Sequence, residues 1–156
     1  TSVDQLPTQD FSVNMVYVHR RKVFAAESLE KFVGLPRLHV LRLVECPAGD
    51  ALAAPIGRLT GLLHLQLNNC QMTDVGLERL QNLSKLEYLD LNHQPGITDR
   101  GLAVVRRMPR LAVLSLFSTS VSDEGLKYLR ELPLAHLFLD GTKVTDAGMK
   151  SLAGLK

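Results

Sequence analysis

The sequence predicts an α/β solenoid of about six repeated units, with a curved parallel sheet on one side and short helical segments on the other. Three observations predict it. A Leu-x-x-Leu pair returns at a nearly fixed interval: Val13/Val16 (Val for Leu), Leu38/Leu41, Leu62/Leu65, Leu86/Leu89, Leu111/Leu114 and Leu134/Leu137. The first positions are 25, 24, 24, 25 and 23 residues apart, a period that belongs to stacked-repeat architectures. Within each unit the apolar spacing is first two, as one face of a strand requires, and then three, as one side of a helix requires. Neither face can be buried by one unit alone. Stacking buries both, and each buried Leu contributes roughly 1.5–3 kcal/mol.

Residues 1–10 read as a polar N-terminal extension or partial cap, with Val3 and Leu6 placed to cover the open end of the first unit. Residues 11–156 form one repeat domain, with units near 13–37, 38–61, 62–85, 86–110, 111–133 and 134–156. Strands are expected to centre near Tyr17, Leu41, Gln66, Asp90, Ser115 and Phe138, in that spatial order. In the first unit Val23 takes the place of Met72, and Ala25 to Phe32 is helix-like. The second unit breaks the pattern: Pro55 would interrupt a helix interior, so a short or 3-10-like stretch is expected there. In units three to six, Thr73-Asp74, Thr98-Asp99, Ser122-Asp123 and Thr145-Asp146 precede Gly-Leu or Gly-Met. Hydroxyl and carboxylate side chains at that place are expected to cap the helix that follows. The glycines (Gly76, Gly101, Gly125, Gly148) would allow one helix start to pack closely on the next. The fourth unit carries one extra residue in Asn92 to Asp99, where Pro95-Gly96 fits the centre of a type II turn. A protruding loop is expected beside the concave face, either marking the binding side or as a neutral insertion.

The motifs quoted above, L-x-x-L-x-L-x-x-C at Leu62 to Cys70 followed by T-D-x-G-L-x-x-L at Thr73 to Leu80, resemble the leucine-rich repeat family over nearly the whole chain. The second half of the unit is most similar to bacterial members, and the cysteines are similar to the cysteine-containing subtype. The resemblance implies a right-handed solenoid with α or 3-10 helices on its convex side. It also implies work as a scaffold, receptor or recognition subunit that binds protein or peptide.

A net charge of +2 is too small to argue for nucleic acid or membrane attraction. The one dense basic run, His19-Arg20-Arg21-Lys22, reads as a solvated strand exit. No apolar stretch approaches the ~20 residues of a membrane span. The first residue is Thr1, with neither Met nor a signal-peptide pattern, so something upstream is expected to have been removed. Cys46 and Cys70 occupy the same place in consecutive units, with Thr119 and Thr142 at that place later. Adjacent strands bring them close enough for a disulfide to be conceivable. Two buried thiols bonded to nearby turn carbonyls or amides are expected instead, and reduced thiols would favour a cytoplasmic setting.

If the Leu positions point inward, the residues between them point to the concave side. That surface displays Met15, Tyr17, His19, Val40, Arg42, His64, Gln66, Asn68, Tyr88, Asp90, Asn92, His93, Phe117, His136 and Phe138. Aromatic rings among amides and mixed charge are what interface cores favour. The expected partner site is the middle and C-terminal part: His64, Gln66, Asn68, Tyr88, Asp90, Asn92, His93, Phe117, His136 and Phe138. A metal on His64, Asp90 and His93 is not expected, because no short His-x-His or His-x-x-x-His motif is present and the surface is open to water. The thiols face the core and the histidines face solvent, so no Cys–His catalytic pair forms. No P-loop or dinucleotide glycine motif is present. The sequence therefore predicts a non-catalytic protein- or peptide-binding module without cofactor, with no catalytic or metal-ligating residues. Two alternatives stand beside it: a structural array that self-associates through its open solenoid ends, and the recognition part of a larger enzyme assembly.

Overall fold

The computed structural model describes residues 13–19 and 26–152. The expected N-terminal cap (Val3, Leu6), the basic run at Arg20 to Lys22, and Val23 and Ala25 lie outside the described residues. Six strands form one parallel sheet in chain order: β1 (Met15–His19), β2 (Val40–Val44), β3 (His64–Asn68), β4 (Tyr88–Asp90), β5 (Val113–Ser115) and β6 (His136–Phe138). Each contains the residue expected at its centre, and β1 and β3 are centred on it, at Tyr17 and Gln66. The register runs Met15, Val40, His64, Tyr88, Val113, His136 across the sheet, so equivalent repeat positions are neighbours. Leu41, Leu65, Leu89 and Leu114 fill one inward row, and each is fully buried.

The convex side carries 3-10 segments at Ala26–Phe32, Gly49–Leu52 and Gly125–Leu129. Short α-helices lie at α1 (Ala53–Gly57), α2 (Asp74–Glu78), α3 (Asp99–Val105) and α4 (Asp146–Ser151). Pro55 lies inside α1 and does not interrupt it. The stretch is short and partly 3-10, as expected: the 3-10 segment Gly49–Leu52 runs directly into this five-residue helix. The fifth unit starts its 3-10 segment at Gly125, without a side-chain cap.

The Thr-Asp pairs divide their labour differently from the capping expected of them. Thr73, Thr98 and Thr145 each accept a hydrogen bond from the backbone N–H two residues on, capping their own helix. The carboxylates reach forward to the next repeat. Asp74 accepts from the Thr98 N–H at 2.9 Å and from the Thr98 hydroxyl at 2.6 Å. Asp50 does the same for Thr73, Asp99 for Ser122 and Asp123 for Thr145. Each of the three threonine hydroxyls therefore donates backward to a carboxylate while accepting from its own helix. The glycine that follows each pair makes room for this ladder: a Cβ at Gly101 would sit 2.5 Å from Asp74 Oδ1, and Gly76, Gly125 and Gly148 meet the preceding Asp in the same way.

The extra residue of the fourth unit does not protrude as a type II turn. Gly96 has no left-handed φ; it bridges Thr73 in parallel and its carbonyl accepts from the Asp74 N–H at 3.2 Å. Here glycine answers a close approach, since a Cβ would lie 2.9 Å from Thr73 Cγ2. Gln94 takes the position of Cys70 and is fully buried. Its Oε1 accepts from the Met72 N–H at 2.9 Å and its amide donates to the Leu67 carbonyl. Cys46 and Cys70 are both buried and are not joined in a disulfide. The Cys70 Sγ lies 3.3 Å from the Leu43 carbonyl oxygen, and burial pushes its pKa up to about 12.

Candidate functional site

Two local features shape the concave face. Along each strand the pleat alternates sides, so Tyr88 and Asp90 share the outer face of β4 while Leu89 fills the core. Past the strands of units two to six, the chain turns through a left-handed residue: Glu45, Asn69, His93, Ser118 and Gly141 have φ between 52° and 69°. Each of the first four donates its N–H to a carbonyl of the next unit, at 2.8–2.9 Å.

Rings and imidazoles meet in pairs along this face. His64 and Tyr88 stack at 5.7 Å between centroids, and His93 meets Phe117 edge-on at 4.9 Å. His136 lies 6.5 Å from Phe138, and Tyr17 stacks on His19 at 6.1 Å. Tyr17 is 58% exposed and Phe138 47%. The fourth pair, Tyr17 with His19, lies outside the middle and C-terminal stretch that the sequence favours. Only the row alignment, which places Tyr17 level with Gln66 and Phe138, signals it.

The polar members of the predicted site are arranged otherwise. Asp90 is on the outer face but only 3% exposed. One oxygen accepts from the Asn92 N–H at 2.9 Å and the other from the Gln66 amide at 3.0 Å. Asn92 lies beyond β4, and its side-chain oxygen accepts from the Ser115 hydroxyl at 2.7 Å and the Phe117 N–H at 2.8 Å. Gln66, Asp90, Asn92 and Ser115 thus form one network across three repeats, which knits the sheet and leaves few of their polar groups pointing at solvent. Asn68 is half-buried at the end of β3. Burial raises the Asp90 carboxyl above the usual range, against the hydrogen bonds from Asn92 and Gln66 and the field of His93. Burial also raises the Tyr88 phenol, with Asp90 adding to it and Arg42 opposing.

Chemically, this surface offers flat apolar rings with polar edges on a rigid sheet, and one enclosed carboxylate. Among the described residues no group of three or more His, Cys, Asp or Glu side chains is arranged to hold a metal ion. No helix among them is long and apolar enough to cross a membrane.

A family model described as "Leucine Rich repeat" matches residues 59–80. The chain is similar to Leucine-rich repeat-containing protein 42 of Xenopus laevis, at 29% identity over 126 residues, covering 73% of this chain and 30% of that protein. The Xenopus tropicalis protein of the same name is 30% identical over 131 residues, covering 74% and 31%. The chain therefore spans about a third of the length of these relatives. Among solved structures, internalin C2 of Listeria monocytogenes superposes with a TM-score of 0.55 at 22% identity, over 81% of this chain and 62% of that one. That likeness speaks to the fold. Leucine-rich-repeat folds are typical scaffolds for protein interaction. Repeat, register and relatives agree, and this chain is a leucine-rich-repeat solenoid.

Proposed function

We propose that the chain is a non-catalytic binding module that takes a protein or peptide on its concave face. The observation that supports this best is the row of ring–imidazole pairs, His64/Tyr88, His93/Phe117 and His136/Phe138, on the strands and just past their ends, where the opposite face of the sheet is locked in the core. Packing does not demand rings there. Large rings on a rigid backbone give contact area at little entropic cost, and such residues dominate binding energy at interfaces.

The test begins with peptides selected from a random library on the immobilised chain. Affinity of a selected peptide is then measured for Tyr88→Ala, Phe117→Ala and Lys127→Ala, the last on the convex side where Lys127 pairs with Glu124. Each concave change is expected to cost about 2 kcal/mol, roughly thirtyfold in Kd, and the convex change nothing. Weakening by Lys127→Ala alone would move the site to the helical side. A second reading, self-association through a solenoid end, has one observation in its favour. Leu137, Leu139, Val144 and Leu152 are only half-buried where the equivalent residues of inner repeats are enclosed, and Met149 is 51% exposed. A solution mass of twice the monomer by light scattering, lost on Met149→Lys, is what that reading requires.

A further inference from the structure

We propose that the centre of the concave face is a receptor for one arginine side chain of a partner protein or peptide, seated over Asp90 between two ring pairs. This rests on the concave face being the binding surface. The argument starts from what Asp90 lacks. Its carboxylate is almost fully enclosed, yet the two hydrogen bonds it accepts come from neutral donors, the Asn92 N–H and the Gln66 amide. Among the described residues no Lys or Arg forms an ion pair with it. A buried carboxylate without a cation works against the fold. An uncharged acceptor would serve the same two neutral donors, and the next residue across, Ser115, is buried with only a hydroxyl. A residue that costs stability while standing among binding groups marks a place shaped for a ligand.

The surroundings specify the ligand's chemistry. His64 and Tyr88 stack on the strand-entry side of Asp90, and His93 and Phe117 meet on the strand-exit side. Rings flanking a carboxylate suit a flat cation: a guanidinium stacks on aromatic faces and donates a fork of N–H groups to carboxylate oxygens. An ammonium offers no flat face to the rings, so arginine fits better than lysine. Access runs through Gln66. Its half-buried side chain lies on one Asp90 oxygen, and an arriving guanidinium takes the place of that amide.

The test is an NMR titration of the isotope-labelled chain with N-acetyl-arginine amide, set against N-acetyl-citrulline amide, which has the same shape without the charge. Arginine amide is expected to shift the backbone signals of Tyr88, Asp90 and His93 saturably, with a Kd on the order of 1–10 mM for so small a ligand. Citrulline amide should bind at least about tenfold more weakly. Asp90→Asn should abolish that difference while melting at the same or a higher temperature, a combination that a purely structural carboxylate would not give. Tyr88→Leu, at a half-exposed position, should weaken arginine binding without unfolding. The proposal is overturned if arginine and citrulline are indistinguishable, if the largest shifts fall on convex carboxylates, or if Asp90→Asn melts lower. Should it fall while selected peptides still lose affinity with Tyr88→Ala, the concave site stands and only its arginine preference is lost.

Discussion

The carboxylate ladder makes a sharp energetic prediction at Asp74 and Gly101. Asp74→Ala removes both oxygens that Thr98 uses, through its N–H at 2.9 Å and its hydroxyl at 2.6 Å. Hydrogen bonds to a charged group are worth about 1.5–3 kcal/mol each, and at a half-buried site water recovers part of that, leaving about 2–4 kcal/mol in total. In a chain of this size the melting temperature should fall by about 5–12 °C. Gly101→Ala should cost a similar amount for a related reason, because its new Cβ would lie 2.5 Å from Asp74 Oδ1 and push the carboxylate off Thr98. In the Asp74→Ala background that clash is gone. What remains is Leu77 Cδ2 at 3.1 Å, the end of a flexible side chain, offset by the better helix propensity of Ala over Gly, about 0.5–1 kcal/mol. Gly101→Ala should then be nearly neutral, so the cycle should show a coupling of about 2 kcal/mol or more. Urea unfolding of the wild type, both single variants and the double variant measures it. Additive losses would refute the idea that the glycine exists to admit the carboxylate.

Other outcomes follow from the same structure. Gln94→Ala should cost about 2–4 kcal/mol in urea unfolding, because it strands the buried Met72 N–H and Leu67 carbonyl together. The Cys70 thiol should react with thiol reagents only as fast as the chain opens. Cys70→Ser should cost only about 1 kcal/mol, since a hydroxyl there finds the Leu43 and Asn68 carbonyls. In a carboxyl NMR titration Asp90 should protonate above the usual carboxylate range, because of burial, and Asp123 below it, because of the Thr145 hydrogen bonds. The signs are opposite: Asp123 favours folding above the ordinary carboxylate pKa and loses that effect as pH falls through its lowered value. Asp90 works against folding when ionised, and that penalty is relieved as pH falls through its raised value.

Much of this fold is legible in the residues themselves. The two-residue spacing of Leu65 and Leu67 and the three-residue spacing of Leu77, Leu80 and Leu83 are local signals, and they fix strand, helix and inward face without reference to neighbours. The chain pattern cannot say where a side chain goes when its partner lies one repeat away. Asp74 after Thr73 reads equally well as a local cap, and only the stacking offset between repeats turns it toward Thr98. Gln94 lies eight residues from Leu86, level with Cys70, but a long polar side chain at a core position carries no local sign that its two buried backbone partners, the Met72 N–H and the Leu67 carbonyl, lie one repeat back. At the candidate site the alternation of β4 puts Tyr88 and Asp90 on the outer face. It does not reveal that the Gln66 amide and the Asn92 N–H engage the carboxylate, because that depends on groups from two neighbouring repeats at once. Pro55 is a local signal that is enough: the stretch around it is short and partly 3-10, as its lost N–H requires.

The account stands on the concave rings as the contact surface, and one measurement addresses that directly. Intermolecular NOEs should be recorded between a selected peptide and the isotope-labelled rings of Tyr17, Tyr88, Phe117, Tyr128 and Phe138. The first, second, third and fifth lie on the concave face, while Tyr128 lies on the convex side in the Gly125–Leu129 segment. Cross-peaks to Tyr88 and Phe117, with none to Tyr128, are the predicted result. Cross-peaks to Tyr128 with Tyr88 and Phe117 silent would contradict it.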